Sequence, residues 1–323
     1  LRYCASAYYW QRRGIMISRA SSICGMGDAL NQRAFLVAYC KEKNIPPSQI
    51  SVYTEKYWWA FEGLGFKRGL VRSDFGGLVA YRNFGFYDMP RLYEYSELDV
   101  NIAQNAGIKY SFEVCVPFPK FKKPRIKLPQ RFITFNTGFG NLSGKPGNSA
   151  YICLKSWPSA YWAEFVRNIG VPCVQIGGGP SCEIIPGTAL NLVDKLTIQE
   201  SAEVMRRALF HVDMEGGLPI LAQHLGKRSV VLFGPTAIEN QGRSFNLNIR
   251  QSTCTPCYEW GYNSRKRLYA MRYELPCGVQ CMRDIKPAHV VAEIQKAGWL
   301  AFPNGVPPID KKFIIDWHKT IDK

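Results

Sequence analysis

The chain has 323 residues, 46% of them hydrophobic and 20% charged, which suits two ordinary cores and excludes a disordered polymer. Its 41 Lys and Arg against 25 Asp and Glu leave a formal charge of +16, which favours polyanionic partners (nucleic acid, phosphorylated glycolipid, an anionic membrane face) or else serves solubility alone. No run of about 18 uncharged apolar residues suggests a transmembrane helix, and the opening LRYCASAYYWQRR lacks the apolar stretch of a signal peptide, so a cytoplasmic protein is expected, its eleven cysteines being thiols plus one metal site.

GIMISRA (14–20) reads as a short buried strand, followed by the loop SSICGMGD and an apolar-rich helix from Asp28 to about Lys43. SVYT, GLVAY and FEVCV are further strand candidates, and LDVNIAQNAG a further helix. VPFPKFKKPRIKLPQ carries four prolines and the basic cluster Lys120, Lys122, Lys123, Arg125 and Lys127. It has no helical period and reads as the connection between an N-terminal domain, 1–125, and a C-terminal domain, 126–323. A second alternation then begins, with RFITFN, VPCVQIGGG, LFHVDM and SVVLFGPT as strands and SAYWAEFVRNIG, TIQESAEVMRRA and GLPILAQHLG as helices. Thr197 and Glu200 have the spacing of a capping box, in which hydroxyl and carboxylate satisfy amides of the first helical turn. Strand and helix alternating twice over predicts two Rossmann-like α/β domains.

Such sheets bind ligands at the carboxyl ends of their strands, so SSICGMGD, NTGFGNLSGK, IGGGPS, DMEGG and FGPT are the loops that matter. In the first, Gly25 and Gly27 precede a helix that has Asp28 at its start. Glycine permits close backbone approach, and a helix N-terminus favours the ionised carboxylate that a proton acceptor needs. The plain alternative is an ordinary capping aspartate.

VDMEGGLPILAQHLGKRSVVLFGPT (212–236) resembles the donor-binding stretch of the bacterial heptosyltransferases, glycosyltransferases that use ADP-heptose. Three other regions resemble the same family in the same order. They are SSICGMGDAL, the stretch FNTGFGNLSGKPGNSAYICLKSWPSAYWAEF with its Lys-x-Trp-Pro turn, and CTPCYEW followed by LPCGVQCMRDIKPAHVV. Together these span about 14–296. The resemblance implies a GT-B fold, two Rossmann-like domains facing across a cleft, and inversion at the anomeric carbon. It implies Asp28 as general base and Lys155 as the cation facing the donor diphosphate, with no catalytic metal. It places phosphates on the amides of Gly216 and Gly217, further donor contacts at Asn136, Thr137 and Gly138, and a sugar or ribose contact at Glu215. One departure stands out. Many family members carry a histidine where this chain has Ile220, and a small hydroxyl residue is missing from the same turn, which bears on the identity of the donor. The four histidines, His211, His224, His289 and His318, lie outside every motif loop and are expected to be structural.

Cys254 and Cys257, then Cys277 and Cys281, form a CxxC…CxxxC pattern suited to a tetrahedral structural zinc or iron, with surface thiols as the alternative. The cysteine-rich segment 254–281 and the EGG turn also resemble the autotransporter protein heptosyltransferases, a branch with an iron-bound finger. The expected partners are therefore a nucleoside-diphosphate sugar and an acceptor hydroxyl on a glycan such as the lipopolysaccharide core, or on a protein. Two rivals remain open: a glycosyltransferase acting on hydroxymethylated bases in DNA, as some phages encode, and a non-catalytic sugar-nucleotide or nucleic-acid binding module.

Overall fold

The structure, a computed structural model, describes residues 19–22, 25–54, 56–69, 79–80, 108–138, 155–251, 279–303 and 305–317. These divide into two compact units. The first holds the described residues up to Pro117 and again from Lys311, the second those from Phe118 to Asp310.

In the first unit the strands β1 (Arg19–Ser22), β2 (Ser51–Thr54), β3 (Lys67–Arg68) and β4 (Val79–Ala80) lie in the order β3-β2-β1-β4, every pair parallel. Parallel neighbours need a crossover, which α1 (Met26–Lys43) supplies between β1 and β2. This helix starts two residues ahead of Asp28. It stops at Asn44, whose left-handed backbone (φ 52°) is a conformation that asparagine tolerates better than most residues. Residues 29–40 are all buried, Asn31, Gln32 and Arg33 among them, so the helix is enclosed on every side instead of presenting one apolar stripe. Arg33 is accommodated because its guanidinium donates to the carbonyls of Val116 and Pro117.

FEVCV proves not to be a sheet strand. Cys115 alone is bridged, to Ile314, with Cys115 N–H donating to the Phe313 carbonyl at 2.7 Å and Ile315 N–H to the Cys115 carbonyl at 2.8 Å. Its partner comes from the far end of the chain, and Trp317 Nε1 donates to the Leu64 carbonyl at 3.2 Å to fasten that end to the first unit. The expected boundaries put this end of the chain in the C-terminal domain, 126–323, whereas its described residues from Lys311 group with the first unit. Residues 14–18 of the first expected strand and the whole of the expected helix LDVNIAQNAG (98–107) lie outside the described residues.

The second unit follows the expected alternation closely. Its strands are β5 (Ile133–Phe135), β6 (Cys173–Gln175), β7 (Leu190–Asn191), β8 (His211–Met214), β9 (Ser229–Leu232) and β10 (Leu247–Ile249). Among the described residues they form an all-parallel sheet in the order β10-β9-β8-β5-β6-β7. The chain thus moves outward from β5 in one direction, returns, and moves outward from β8 in the other. The point of reversal, between β5 and β8, is where doubly wound sheets leave a crevice for a ligand.

The helices are α2 (Ser159–Asn168), α3 (Ile198–Arg207), α4 (Gly217–His224), α5 (Ile238–Gln241), α6 (Gln280–Asp284) and α7 (Pro287–Lys296). Trp162, Phe165 and Val166 of α2 join Val290, Val291 and Ile294 of α7 and the strand residues Ile133, Phe135 and Val212 in one apolar cluster. The capping box of α3 forms as expected: Glu200 N–H donates to Thr197 Oγ1 at 3.2 Å and Thr197 N–H to Glu200 Oε2 at 2.9 Å.

The basic, proline-bearing stretch 118–130 has no regular structure but is fastened to this unit. Phe118 N–H donates to the His224 carbonyl at 3.2 Å, Phe121 N–H to Glu203 Oε1 at 2.8 Å, and Arg206 to the Pro119 carbonyl at 3.1 Å. Lys120, Lys122, Lys123, Arg125 and Lys127 are all exposed along it.

Candidate active site

Four loops at the carboxyl ends of β5, β6, β8 and β9 gather the second unit's candidate residues. Lys155 reaches them through the Lys-x-Trp-Pro turn, and the next residues explain why that turn is rigid. Trp157 is buried, donates from Nε1 to the Ile285 carbonyl at 2.8 Å, and packs edge-on against Trp162 at 4.8 Å between ring centroids. Pro158 then caps α2. From this anchored turn Lys155 Nζ forms an ion pair with Glu215 Oε2, and Thr236 Oγ1 donates to the same carboxylate oxygen at 3.1 Å.

Glu215 is the residue after β8, and Thr236 closes the Gly-Pro-Thr turn after β9. Three separate loops therefore converge on one half-buried carboxylate. Lys155 and Glu215, chosen from sequence for separate reasons, are direct partners. Thr236 was included in a loop of interest without being singled out.

Gly216 and Gly217 follow at once, and α4 begins at Gly217. The first-turn amides of any helix lack partners within it and carry the positive end of its dipole. Pro219, in that first turn, supplies no N–H, which leaves Gly216, Gly217 and Leu218 as the amides of the helix start able to meet an anion. Gly216 itself is in an extended conformation (φ 175°), and a β-carbon on it would meet only the Met214 carbonyl at an ordinary 3.8 Å. Ile220, standing where the resembling family has histidine, lines the same small recess as Glu215, Gly216 and Gln223.

The loop after β5 is held by its own side chains. Asn136 Nδ2 donates to the Gly138 carbonyl at 2.6 Å, and Gly138 N–H donates back to Asn136 Oδ1 at 3.0 Å. Thr137 Oγ1 donates to the Glu183 carbonyl at 2.9 Å and accepts from Gln175 Nε2 at 3.2 Å. Both side chains are buried and shape the loop from within. Gly177, after β6, is required here: its φ is +121°, and a β-carbon on it would lie 2.3 Å from Asn136 Oδ1.

Beneath these loops lies a group that the sequence reading passed over. Asp213 of β8 is buried, and both of its carboxylate oxygens lie 3.2 Å from Asn136 Nδ2. LFHVDM reads as a strand and DMEGG as its loop, and neither reading pairs Asp213 with Asn136.

In the first unit Asp28 stands in the first turn of α1, flanked by Gly27 and reached by Gly25, whose N–H donates to Asp28 Oδ2 at 3.1 Å. The carboxylate is thus partly used as a cap, as the plain alternative held, while remaining partly exposed. Its charge is felt nearby: burial first, and then Asp28, raise the pKa of the Tyr57 phenol.

Of the expected metal ligands, Cys281 alone is described. It is buried on α6, which packs so tightly under the Gly-Pro-Thr turn that a β-carbon on Gly234 would meet Met282 Sδ at 2.2 Å. Cys254, Cys257 and Cys277 lie outside the described residues, and among the described residues no three His, Cys, Asp or Glu side chains are grouped to hold a metal. No helix among the described residues is long and apolar enough to cross a membrane.

The sequence matches no protein-family model, and no curated protein is similar to it at the sequence level. Solved structures are similar. The iron-containing dodecameric glycosyltransferase TibC from enterotoxigenic E. coli has a TM-score of 0.64 at 16% identity, over 89% of this chain and 77% of TibC. The heptosyltransferase TibC in complex with ADP-D-β-D-heptose has 0.61 at 14%, over 88% and 76%. A family 9 glycosyl transferase from Veillonella parvula has 0.53 at 13%, over 86% and 95%. At such identities the likeness speaks for architecture, and the architecture of this chain is that of the heptosyltransferases and family 9 glycosyltransferases.

Proposed function

We propose that the chain is an inverting glycosyltransferase that moves a heptose or related sugar from a nucleoside diphosphate, with ADP the first candidate, to an acceptor hydroxyl. The observation that carries this reading is the convergence of Lys155, Glu215 and Thr236 beside the Gly216–Gly217 helix start, in a heptosyltransferase-like fold. The similar TibC structure holds ADP-heptose, which makes ADP the nucleotide to try first.

The chemistry assigns one task to each group. Asp28 takes the proton from the acceptor hydroxyl as its oxygen attacks the anomeric carbon. The bond from that carbon to the diphosphate breaks on the opposite face, and the diphosphate departs with added negative charge. Lys155 and the first amides of α4 stabilise that charge where it develops, which is the costly part of the reaction. Glu215 directs the ammonium of Lys155 and lies close enough to the recess to meet a sugar or ribose hydroxyl. Asn136, Thr137 and Gly138 line the donor site, the side chains of Asn136 and Thr137 shaping the loop from within. Ile220 in place of a histidine removes a polar contact from the recess and favours a donor that differs from ADP-heptose at that point.

The acceptor is a glycan or protein hydroxyl in this reading. The exposed cations on 120–127, held in place along α3, support an anionic acceptor or an anionic setting for it. Cys254, Cys257, Cys277 and Cys281 would hold a structural zinc or iron, since four thiolates complete a tetrahedral shell and leave no position for substrate.

A panel of nucleotide sugars tests the reading. ADP-heptose or a close relative should raise Tm and release free nucleoside diphosphate in the presence of protein. Failure of every nucleotide sugar to bind or turn over would remove the transferase assignment and leave a non-catalytic module.

A further inference from the structure

β5 and β8 are neighbours at the reversal point of the sheet, with Thr134 opposite His211 and Phe135 opposite Val212. Side chains two apart on a strand share a face, so Thr134 and Asn136 line up with His211 and Asp213 as two polar rungs. All four are buried, at 0%, 6%, 1% and 3% exposure. A buried sheet face normally carries apolar residues, and four polar ones at the ligand-binding reversal point call for a reason.

Their hydrogen bonds run in one direction, towards the loops. Thr134 Oγ1 and His211 Nδ1 are 3.0 Å apart, and His211 Nε2 and Asp213 Oδ2 are 3.4 Å apart. In the Nε2–H tautomer the ring donates to the carboxylate and its Nδ1 accepts from the Thr134 hydroxyl. Asp213 then accepts from Asn136 Nδ2 at 3.2 Å and from the Met214 N–H at 2.7 Å. Asn136 in turn clamps Gly138 at both its N–H and its carbonyl. Asp213 thereby touches both switch-point loops: the Asn136–Gly138 loop through a side chain, and the Glu215–Gly217 turn through the amide one residue before it.

We propose that Asp213 is a positioning residue for the donor site, holding the loop after β5 and the turn after β8 in fixed relation, with His211 orienting its carboxylate and Thr134 standing behind His211 as the far rung. Burial, the largest effect, pushes the Asp213 pKa up, and His211, Asn136 and the Met214 amide offset it in part. Such a group is sensitive to the loss of one partner and well suited to transmit a displacement. The placement of the donor rests on the function proposed above; the coupling of the two loops does not.

Asp213→Asn is close in shape but sets an amide donor against Asn136 Nδ2. Two measurements follow. Hydrogen–deuterium exchange should rise in peptides covering 136–138 and 214–217 and stay unchanged over 229–232. ADP affinity, measured by calorimetry, should fall about tenfold or more, the equivalent of losing one hydrogen bond to a charged group. Thr134→Val removes the far rung only; it should lower Tm while leaving ADP affinity and loop exchange near wild type. On an Asn136→Ser background Asp213→Asn should add little, because both act through one contact. If Asp213→Asn does not fold, Asn136→Ser alone should show the same loop exchange from the other side of the contact. Wild-type exchange in both loops of folded Asp213→Asn, or equal effects of Asp213→Asn and Thr134→Val, would overturn the proposal. Failure of the unaltered protein to bind ADP would count against the donor assignment, and the exchange experiment would still decide whether Asp213 holds the loops.

Discussion

Asp28 has a structural partner and a proposed chemical one, and the two can be separated. An asparagine side chain still offers an oxygen to the Gly25 N–H, so Asp28→Asn should keep the start of α1 and the fold of the first unit. It cannot take a proton, and transfer should fall by about 10²–10⁴-fold, the usual weight of a general base. Near-normal turnover in a folded Asp28→Asn protein would return the residue to a purely capping role. Lys155 presents a different balance. Removing it with Lys155→Ala leaves the Glu215 carboxylate facing an incoming diphosphate, so two effects add: a cation is lost and an anion is uncovered. Lys155→Ala should therefore weaken ADP binding more than Lys155→Ala combined with Glu215→Gln does, as titration calorimetry of both variants can show. Equal affinities in the unaltered protein and Lys155→Ala would place the ammonium away from the phosphates.

At the scale of elements, local signals were read well wherever they were local. The capping box at Thr197 and Glu200 is a case. Thr197→Ala should cost about 1 kcal/mol, an N-cap effect readable in denaturant unfolding. The hydrogen bonds from Thr197 hold the Glu200 pKa below its ordinary value. A carboxylate depressed in the folded state contributes above its unfolded pKa, and that contribution is lost as pH falls through the folded value. The Tm deficit of Glu200→Gln should accordingly be present near neutrality and vanish on acidification; a deficit independent of pH would mean that the charge has no part in the cap. In the second unit β5, β6, β8 and β9 were legible because each lies in a largely apolar run bounded by glycine or a polar turn. β7 and β10 were not, having two and three residues and no period to show. FEVCV alternates as a strand should, yet its one partner is Ile314, and pairing across two hundred residues leaves no trace in either segment. Asp213 and His211 were hidden for a related reason, since their partners belong to another strand. Lys155, Glu215 and the glycine turns were legible through the resemblance of their loops to those of the heptosyltransferases, although nothing in the sequence revealed that Lys155 and Glu215 touch. The cysteine pairs remain an expectation of spacing. Protein purified without a polyhistidine tag should carry about one zinc or iron per chain, Cys254→Ser should release it, and metal-free reduced protein would end the idea.

At the scale of the whole molecule, the charge of +16 is the property with the widest consequences, and five of its cations stand on one anchored stretch. Anchoring matters because a loose basic tail must lose conformational freedom on binding, whereas Phe118 and Phe121 already fix the backbone that bears Lys120 to Lys127. Such a strip should recruit anionic acceptors and weaken with salt as counterions screen it. The dependence separates the acceptor classes. On duplex DNA each neutralised phosphate contributes a slope of about −0.9 in log affinity against log salt, so several contacts give a fall of orders of magnitude between low and physiological salt. A phosphorylated glycolipid offers only a few charges near the reacting hydroxyl and should give a shallower slope. A neutral protein hydroxyl should give little. Transfer to hydroxymethylated duplex, to lipopolysaccharide core and to a serine-rich protein, each at two salt concentrations, should favour the glycan or protein, because charge alone is a less specific signal than the heptosyltransferase-like fold and the convergent site. Charge reversal at Lys122, Lys123 and Arg125 should flatten the salt dependence while leaving ADP affinity unchanged, since none of the three belongs to the donor loops. Transfer to the DNA alone, with a steep slope abolished by that reversal, would instead make the strip a nucleic-acid contact and the acceptor a modified base.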